Sequence, residues 1–111
     1  MKASPTSRSL AYMRAPENGG YLAEVVERWN PHARIRQDLW GIIDILGVTD
    51  QPGFPPVLAV QTTTRGEVSR RLAKIADSPN VGVLRRAGVA IHVHGWGKLK
   101  AGWTVRVEDL S

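Results

Sequence analysis

The stretch VLAVQTT, residues 57–63, constrains the fold of this chain more than any other segment. Its residues are nearly all apolar or β-branched, which is typical of a strand covered on both faces. The three prolines of the preceding QPGFPP (51–56) cannot lie in a central strand and predict a turn. Together with the order of the helices and strands predicted around it, this strand indicates an α/β fold.

The other strands are predicted from alternation and from flanking turn residues. The segment YLAEVVERW (21–29) precedes residues 35–48, which form either one long strand or two strands with a bend near Gly41. We expect 21–29 and 35–47 to pair as an antiparallel hairpin. The last two strands are predicted at 89–96 and 103–110.

Two helices are predicted from their start signals. Ser4 followed by Pro5 is typical of an N-cap and a first helical position. Thr64 is predicted to open the second helix, because Thr64 and Glu67 have the spacing of a capping box. The apolar stripe of this helix consists of Val68, Leu72 and Ile75.

The predicted order is therefore α-β-β-β-α-β-β, with a central mixed sheet flanked by helices. A length of 111 residues suits a single domain over 1–111. The absence of cysteine excludes disulfides and thiolate metal sites. Apolar runs fall short of the ~20 residues of a membrane span, and the N-terminus lacks a signal-peptide centre. We expect a soluble, cytoplasmic protein that does not associate with membranes.

The chain is strongly basic, with a formal net charge of +5 and a pI of about 10.2. Basic residues cluster in ARIRQ, SRRLAK, LRRAG and GKLK. Such clusters favour a polyanionic partner, most often nucleic acid, through contacts with phosphates. The alternative is a scattered basic surface that serves only solubility.

Asp44 lies inside the apolar stretch DLWGIIDILGV (38–48), where an unpaired carboxylate is costly. If its strand pairs with 57–63, Asp44 and Gln61 point to the same place, and Thr63 shares the face of Gln61. A carboxylate and an amide oxygen at one point suit a hard cation such as Mg²⁺. Such an ion would neutralise Asp44 and activate water against a phosphate.

Other interpretations of these residues stay open. Asp44 is alternatively protonated, or paired with Arg34 or Arg36 in a structural ion pair. Gln61 alternatively bonds to the backbone of a neighbouring loop.

These segments together resemble the PD-(D/E)XK nuclease superfamily, and most closely the small Holliday-junction-resolvase-like proteins of phages and bacteria. The resemblance covers residues 4–75, with a weaker match in GWGKLKAGWTVRV. It implies a restriction-endonuclease-like core, in which the Asp of the second strand binds the metal; Asp44 matches it. The next strand usually carries Asp or Glu and then Lys, and here Gln61 and Thr63 occupy those positions.

The departures from this motif identify further candidates. Gln61 still offers an oxygen but no charge, and Thr63 cannot supply the positive charge of the motif lysine. Lys74 or Arg71, one helix later, is expected to supply it instead. The first helix has no acid, so we expect Glu27 and Asp38 to replace it, because the predicted hairpin brings them toward the site. Taken individually, both acids also suit a solvated surface.

Two weaker patterns are present near the C-terminus. His92 and His94 share one face of a strand, as two zinc ligands do, although a surface pair or base contacts explain them as well. We expect an aromatic and basic rim that binds nucleic acid, consisting of Trp96, Trp103, Lys98 and Lys100. Core or dimer packing of the two tryptophans is the alternative.

The leading hypothesis is an endonuclease that uses Mg²⁺ or Mn²⁺ to cut DNA, including branched DNA, with a homodimer as one arrangement. A DNA-binding protein that lost catalysis, and a structural or regulatory domain, are the alternatives. The predicted catalytic residues are Asp44, Gln61, Thr63 and Lys74. The predicted metal ligands are Asp44, Gln61, Glu27 and Asp38. The predicted DNA contacts are Arg34, Arg36, Arg70, Arg71, Lys98 and Lys100.

Overall fold

The computed structural model describes residues 3–111, which form a single α/β domain. Helix α1 spans Pro5–Arg14 and begins as predicted. The backbone N–H of Ser7 donates to the hydroxyl of Ser4 at 3.1 Å, and Pro5 occupies the first turn, where its missing N–H costs nothing. A short 3₁₀ turn over Pro16–Asn18 then leads to the first strand.

A five-stranded mixed sheet forms the centre of the domain, in the order β1-β4-β5-β6-β7. Its strands are β1 Leu22–Val25, β4 Ile45–Val48, β5 Val57–Thr64, β6 Ala90–Leu99 and β7 Gly102–Asp109. Strands β5 and β6 are parallel, and the other neighbours are antiparallel. The stretch VLAVQTT is the middle strand, and residues 58–63 are all buried. The prediction of a mixed sheet flanked by helices is confirmed.

The predicted antiparallel pairing of 21–29 with 35–47 is confirmed, but each of the two segments is divided into two strands. Residues β2 Arg28–Asn30 and β3 Ile35–Gln37 pair with each other in a separate two-stranded sheet, while β1 pairs with β4. The division occurs where Trp40 and Gly41 adopt positive φ angles of 52° and 77° and turn the chain. The bend near Gly41 is therefore present, and it separates two sheets.

Two helices follow β5. Helix α2 spans Val68–Ala76 and helix α3 spans Val81–Arg86. The predicted capping box is wrong: Thr64 still belongs to β5, its side chain caps nothing, and a 3₁₀ turn over Arg65–Glu67 precedes α2. The apolar stripe is confirmed, since Val68 and Ile75 are fully buried and Leu72 packs beside them. Helix α3 was not predicted, because its six residues are too few to show a period.

Each face of the sheet carries its own core cluster. Helices α2 and α3 cover one face, where the buried residues include Ile43, Ala59, Val68, Ile75, Ile91 and Val93. Helix α1 covers the other face, where they include Met13, Tyr21, Ile45, Leu58 and Val60. A Cβ atom added to Gly95 of β6 would lie 2.2 Å from Cγ2 of Val68, so α2 sits directly on the strand. Among residues 3–111, no helix has the length and apolar character needed to cross a membrane.

Candidate metal centre

Asp44 is 4% exposed and immediately precedes β4. Its backbone N–H donates to the carbonyl of Val60 at 2.9 Å, which places Asp44 beside Gln61 of β5. Its Oδ2 atom accepts from Nε2 of Gln61 at 2.7 Å, from the N–H of Thr62 at 2.7 Å and from the hydroxyl of Thr62 at 3.1 Å. The predicted convergence of Asp44 and Gln61 is present.

Two further carboxylates meet Asp44. Glu27 immediately precedes β2 and Asp38 immediately follows β3, so both lie at the base of the small hairpin. One oxygen of each of Glu27, Asp38 and Asp44 lies within 4.8 Å of the other two. The side chains of Glu27 and Asp38 are only 15% and 16% exposed. The acids expected to replace the missing first-helix acid therefore do come together with Asp44.

Lys74 reaches this cluster from α2. Its Nζ atom lies 3.2 Å from Oδ2 of Asp38 and 3.5 Å from Oε1 of Gln61. The amide of Gln61 donates to Asp38 at 3.0 Å as well as to Asp44, so it bridges two acids and the lysine. Thr63 lies on the same strand and lines the cavity in front of the acids, where its hydroxyl supplies no positive charge. The positive charge beside these acids therefore comes from the ammonium of Lys74.

Burial and the neighbouring groups shift the pKa values of Asp38 and Asp44 in opposite directions. Burial, with a further contribution from Asp38, raises the pKa of Asp44 to about 7. Burial also acts to raise the pKa of Asp38, but hydrogen bonds from Asp44, Gln61 and Lys74 outweigh it and lower that pKa. Near pH 7 the carboxyl of Asp44 is therefore about half protonated, whereas that of Asp38 is ionised.

The alternative of a structural ion pair is not what the structure contains. Arg36 lies 3.7 Å from Glu27, and Arg34 is exposed in the hairpin turn. Within residues 3–111, Asp44 forms no salt bridge with an arginine. When Asp44 is ionised, a divalent cation would neutralise its negative charge.

The donor set fits a hard divalent cation. Three carboxylates within ligating reach of one another offer the oxygen ligands that Mg²⁺ and Mn²⁺ prefer. Glu27, Asp38 and Asp44 would hold the ion. Gln61 directs its N–H groups at two of these acids and its oxygen at Lys74, so here it orients ligands rather than offering its own oxygen.

Two cavities meet at the acids. A cavity of about 360 Å³ lies between the acids and α1, and is lined by residues that include Asp44, Glu27 and Thr63. A second groove, of about 790 Å³, is lined by residues that include Arg28, Arg36, Trp40 and Lys74. Asp38 and Arg71 line both. The acids are therefore reached along a groove with several cationic side chains.

The other predicted DNA contacts lie away from these cavities. Arg70 is exposed and pairs with Glu67 at 3.3 Å. Lys98 and Lys100 belong to the β6–β7 turn region and line neither cavity. Of the predicted arginines, Arg36 and Arg71 line the groove.

The two histidines do not form a paired ligand site. His94 is buried, its Nδ1 lies 2.9 Å from the hydroxyl of Ser9, and burial lowers its pKa to about 4. His92 lies 3.6 Å from Asp109. Trp96 donates to the same Ser9 hydroxyl at 2.8 Å, which links these side chains to α1 as core polar packing.

The proposed aromatic rim is only partly assembled. Trp96 packs edge-on against Tyr12 of α1 and is partly buried. Trp103 is 47% exposed, and the guanidinium of Arg8 lies 3.8 Å from its ring centroid. Core packing therefore accounts for Trp96, and a cation–π contact occupies one face of Trp103.

Three residues near the site escaped sequence reasoning. Thr62 faces α1, where its hydroxyl lies 2.8 Å from that of Thr6. Its backbone N–H donates to Asp44, and a backbone contact cannot be recognised from the residue type. Arg28 and Trp40 line the groove together with Arg71 and Lys74 of α2. In the sequence, a tryptophan directly followed by a glycine was the available signal for Trp40.

Comparisons with protein-family models, with curated proteins and with solved structures found no match to this chain.

Proposed function

We propose that this chain is a divalent-metal-dependent endonuclease that hydrolyses phosphodiester bonds of DNA on a restriction-endonuclease-like fold. The observation that carries the proposal is the convergence of Glu27, Asp38, Asp44 and Lys74 from four separate segments at the place where the acid cavity and the groove meet. The net charge of +5 supports a polyanionic substrate. The resemblance of the central segments to the PD-(D/E)XK nucleases supports the same reaction class.

The cation would supply a Lewis acid that polarises the scissile phosphate and makes water more acidic. The chain's own residues do the rest. Asp38 and Asp44 hold their oxygens in place through the bridging amide of Gln61. Lys74 places an ammonium beside them, where negative charge develops on the phosphoryl oxygens. Water attacks phosphorus, the bond to the leaving strand breaks, and a proton passes to the leaving oxygen.

Arg71 is suited to hold the substrate, since it lines both the groove and the acid cavity. A guanidinium there would contact a phosphate next to the scissile one and fix the strand over the acids. Cutting both strands of branched DNA needs two such sites, so we propose that two copies of the chain act on one branched substrate.

The second candidate function is DNA binding without cleavage. It is favoured by one observation: a neutral amide, Gln61, stands where the resembled superfamily usually carries Asp or Glu, and it hydrogen-bonds to the acids. A weaker metal site would follow, while the cationic groove would still bind DNA.

One experiment separates these functions. The protein is incubated with plasmid, linear duplex and four-way-junction DNA in Mg²⁺, Mn²⁺ or EDTA, together with Asp44→Asn. The exposed loop variant Asp50→Asn is the matched control. Metal-dependent cutting that is lost only in Asp44→Asn supports the nuclease. Salt-sensitive binding without cutting under any metal rejects it in favour of the binding protein, and no DNA binding at all rejects both.

A further inference from the structure

Trp40 has an unusual backbone conformation for its residue type. Its φ angle is 52°, in the left-handed region that favours glycine and is strained for a bulky side chain. The backbone N–H of Gly41 donates to the backbone carbonyl of Asp38 at 3.0 Å. Nδ2 of Asn80 donates to the carbonyl of Trp40 at 3.3 Å, and the two bonds hold the turn. A glycine would satisfy this turn without strain.

The indole of Trp40 is not used to build the core. The residue is 54% exposed, so most of its apolar surface remains in water. The strained backbone costs stability and the exposed indole recovers little of it, so the side chain is free to bind a ligand. Its position in the groove indicates the kind of ligand, because Arg28, Arg36, Arg71 and Lys74 line the same groove.

We infer that Trp40 is a stacking platform for an unpaired base of the bound DNA. The inference rests on the proposed function in that the ligand is DNA. An aromatic ring among cations is the arrangement that binds single strands, with bases on the ring and phosphates on the cations. The groove continues to the acids through Asp38 and Arg71, so the strand stacked on Trp40 is the strand presented for cutting.

This platform specifies the class of substrate. A base inside an intact duplex has both faces covered by its neighbours, so it cannot stack on Trp40 unless it leaves the duplex. The preferred DNA therefore carries unpaired nucleotides beside the scissile phosphate, as a flap, a gap or an opened junction does.

The test measures binding in EDTA, so that cutting plays no part. Fluorescence anisotropy follows a labelled single strand of about 20 nucleotides, longer than a typical binding site, and the matching duplex. We expect Trp40→Ala to lose about tenfold in affinity for the single strand and to bind the duplex within about twofold of the unmodified chain. Trp40→Phe should retain most of the affinity. The matched control is Trp29→Ala, since Trp29 is 57% exposed but does not line this groove.

A second variant separates stacking from folding. Trp40→Gly relieves the positive φ angle, so its thermal midpoint should equal or exceed that of the unmodified chain, while single-strand affinity falls as in Trp40→Ala. Equal losses for single strand and duplex, no loss for either, or the same loss in Trp29→Ala would overturn the platform. A platform that fails while Asp44-dependent cutting persists leaves the nuclease standing. Trp40-dependent binding without any cutting rejects the nuclease and keeps the platform.

Discussion

Nζ of Lys74 lies 3.2 Å from Oδ2 of Asp38, although the two residues are separated by 36 positions in the chain. The contact joins helix α2 to the base of the β2–β3 hairpin, and the lysine side chain remains 43% exposed. Lys74 thus neutralises an acid while keeping access to the groove. A phosphate entering the groove meets an ammonium that is already in place.

Removing this ammonium should reduce the rate of cutting more than it reduces binding. We expect Lys74→Met to lower the cleavage rate by about 10²-fold or more, because the charge that stabilises the transition state is lost. Its affinity for DNA in EDTA should change by less than about tenfold, since a single phosphate contact is removed. Single-turnover cleavage and anisotropy measure the two effects.

Arg106→Ala is the control for this loss of one positive charge, since Arg106 lies on β7 and pairs with Glu108. An equal loss of cutting in both variants would mean that net charge, rather than the position of Lys74, matters.

Gln61→Glu adds a fourth acidic side chain to the site, in contact with Asp38 and Asp44. Without metal, the new charge faces two carboxyl groups and loses the N–H donors, so we expect the free energy of unfolding in EDTA to fall by roughly 1–3 kcal/mol. With metal, the same charge becomes a ligand, and Mn²⁺ should bind about tenfold more tightly. Denaturant unfolding and calorimetric titration with Mn²⁺ provide the readouts. Unchanged Mn²⁺ affinity would contradict a metal site at these acids.

Asp44 should make stability decrease as pH rises from about 4 to 7. Its folded pKa of about 7 lies above the ~3.9 of an unfolded aspartate, so the folded state holds the proton through that window. The stabilisation is complete below pH 4 and is lost above pH 7, by on the order of 4 kcal/mol at most. Asp44→Asn, which cannot ionise, should flatten this slope in EDTA.

Metal should act in the opposite direction at this site. Mn²⁺ competes with the proton of Asp44, so it should raise the thermal midpoint more at pH 8 than at pH 5.5. Asp44→Asn should abolish that increase. An equal increase in the variant would place the metal elsewhere.

His94 should give a pH dependence of opposite sign over an overlapping range. Its pKa of about 4 lies below the unfolded value of about 6.5, so its contribution is complete above pH 6.5 and is lost as pH falls toward 4. In the unmodified chain the slopes from His94 and Asp44 partly cancel. His94→Phe should therefore have lower overall stability, because the buried Ser9 hydroxyl loses its contact with the imidazole, but a curve that falls more steeply with rising pH. Parallel curves would exclude a buried neutral His94.

The sequence was most informative where burial and alternation act together. VLAVQTT required a central covered strand, and alternation on that strand brought Gln61 to Asp44. The helix stripe ending at Ile75 located α2, and with it Lys74.

Tertiary features account for what the sequence left open. The positive φ of Trp40 belongs to a turn closed by Asn80 from α3, a contact 40 positions away. The N–H of Thr62 is a backbone group that every residue has, so nothing distinguishes it in the sequence. Helix α3 is stabilised by burying Val81 and Leu84 against the sheet rather than by its own propensity.

The β2–β3 hairpin has only three residues in each strand, and a two-stranded ribbon of this size is marginal by itself in water. Glu27 and Asp38 flank its two strands at the base, so a cation bound by both would stabilise the hairpin, which carries Arg28 and Arg36. Amide hydrogen exchange in the β2–β3 hairpin should slow when the cation binds. Binding of a cation at the acids would thus be transmitted to the segment that carries Arg28 and Arg36.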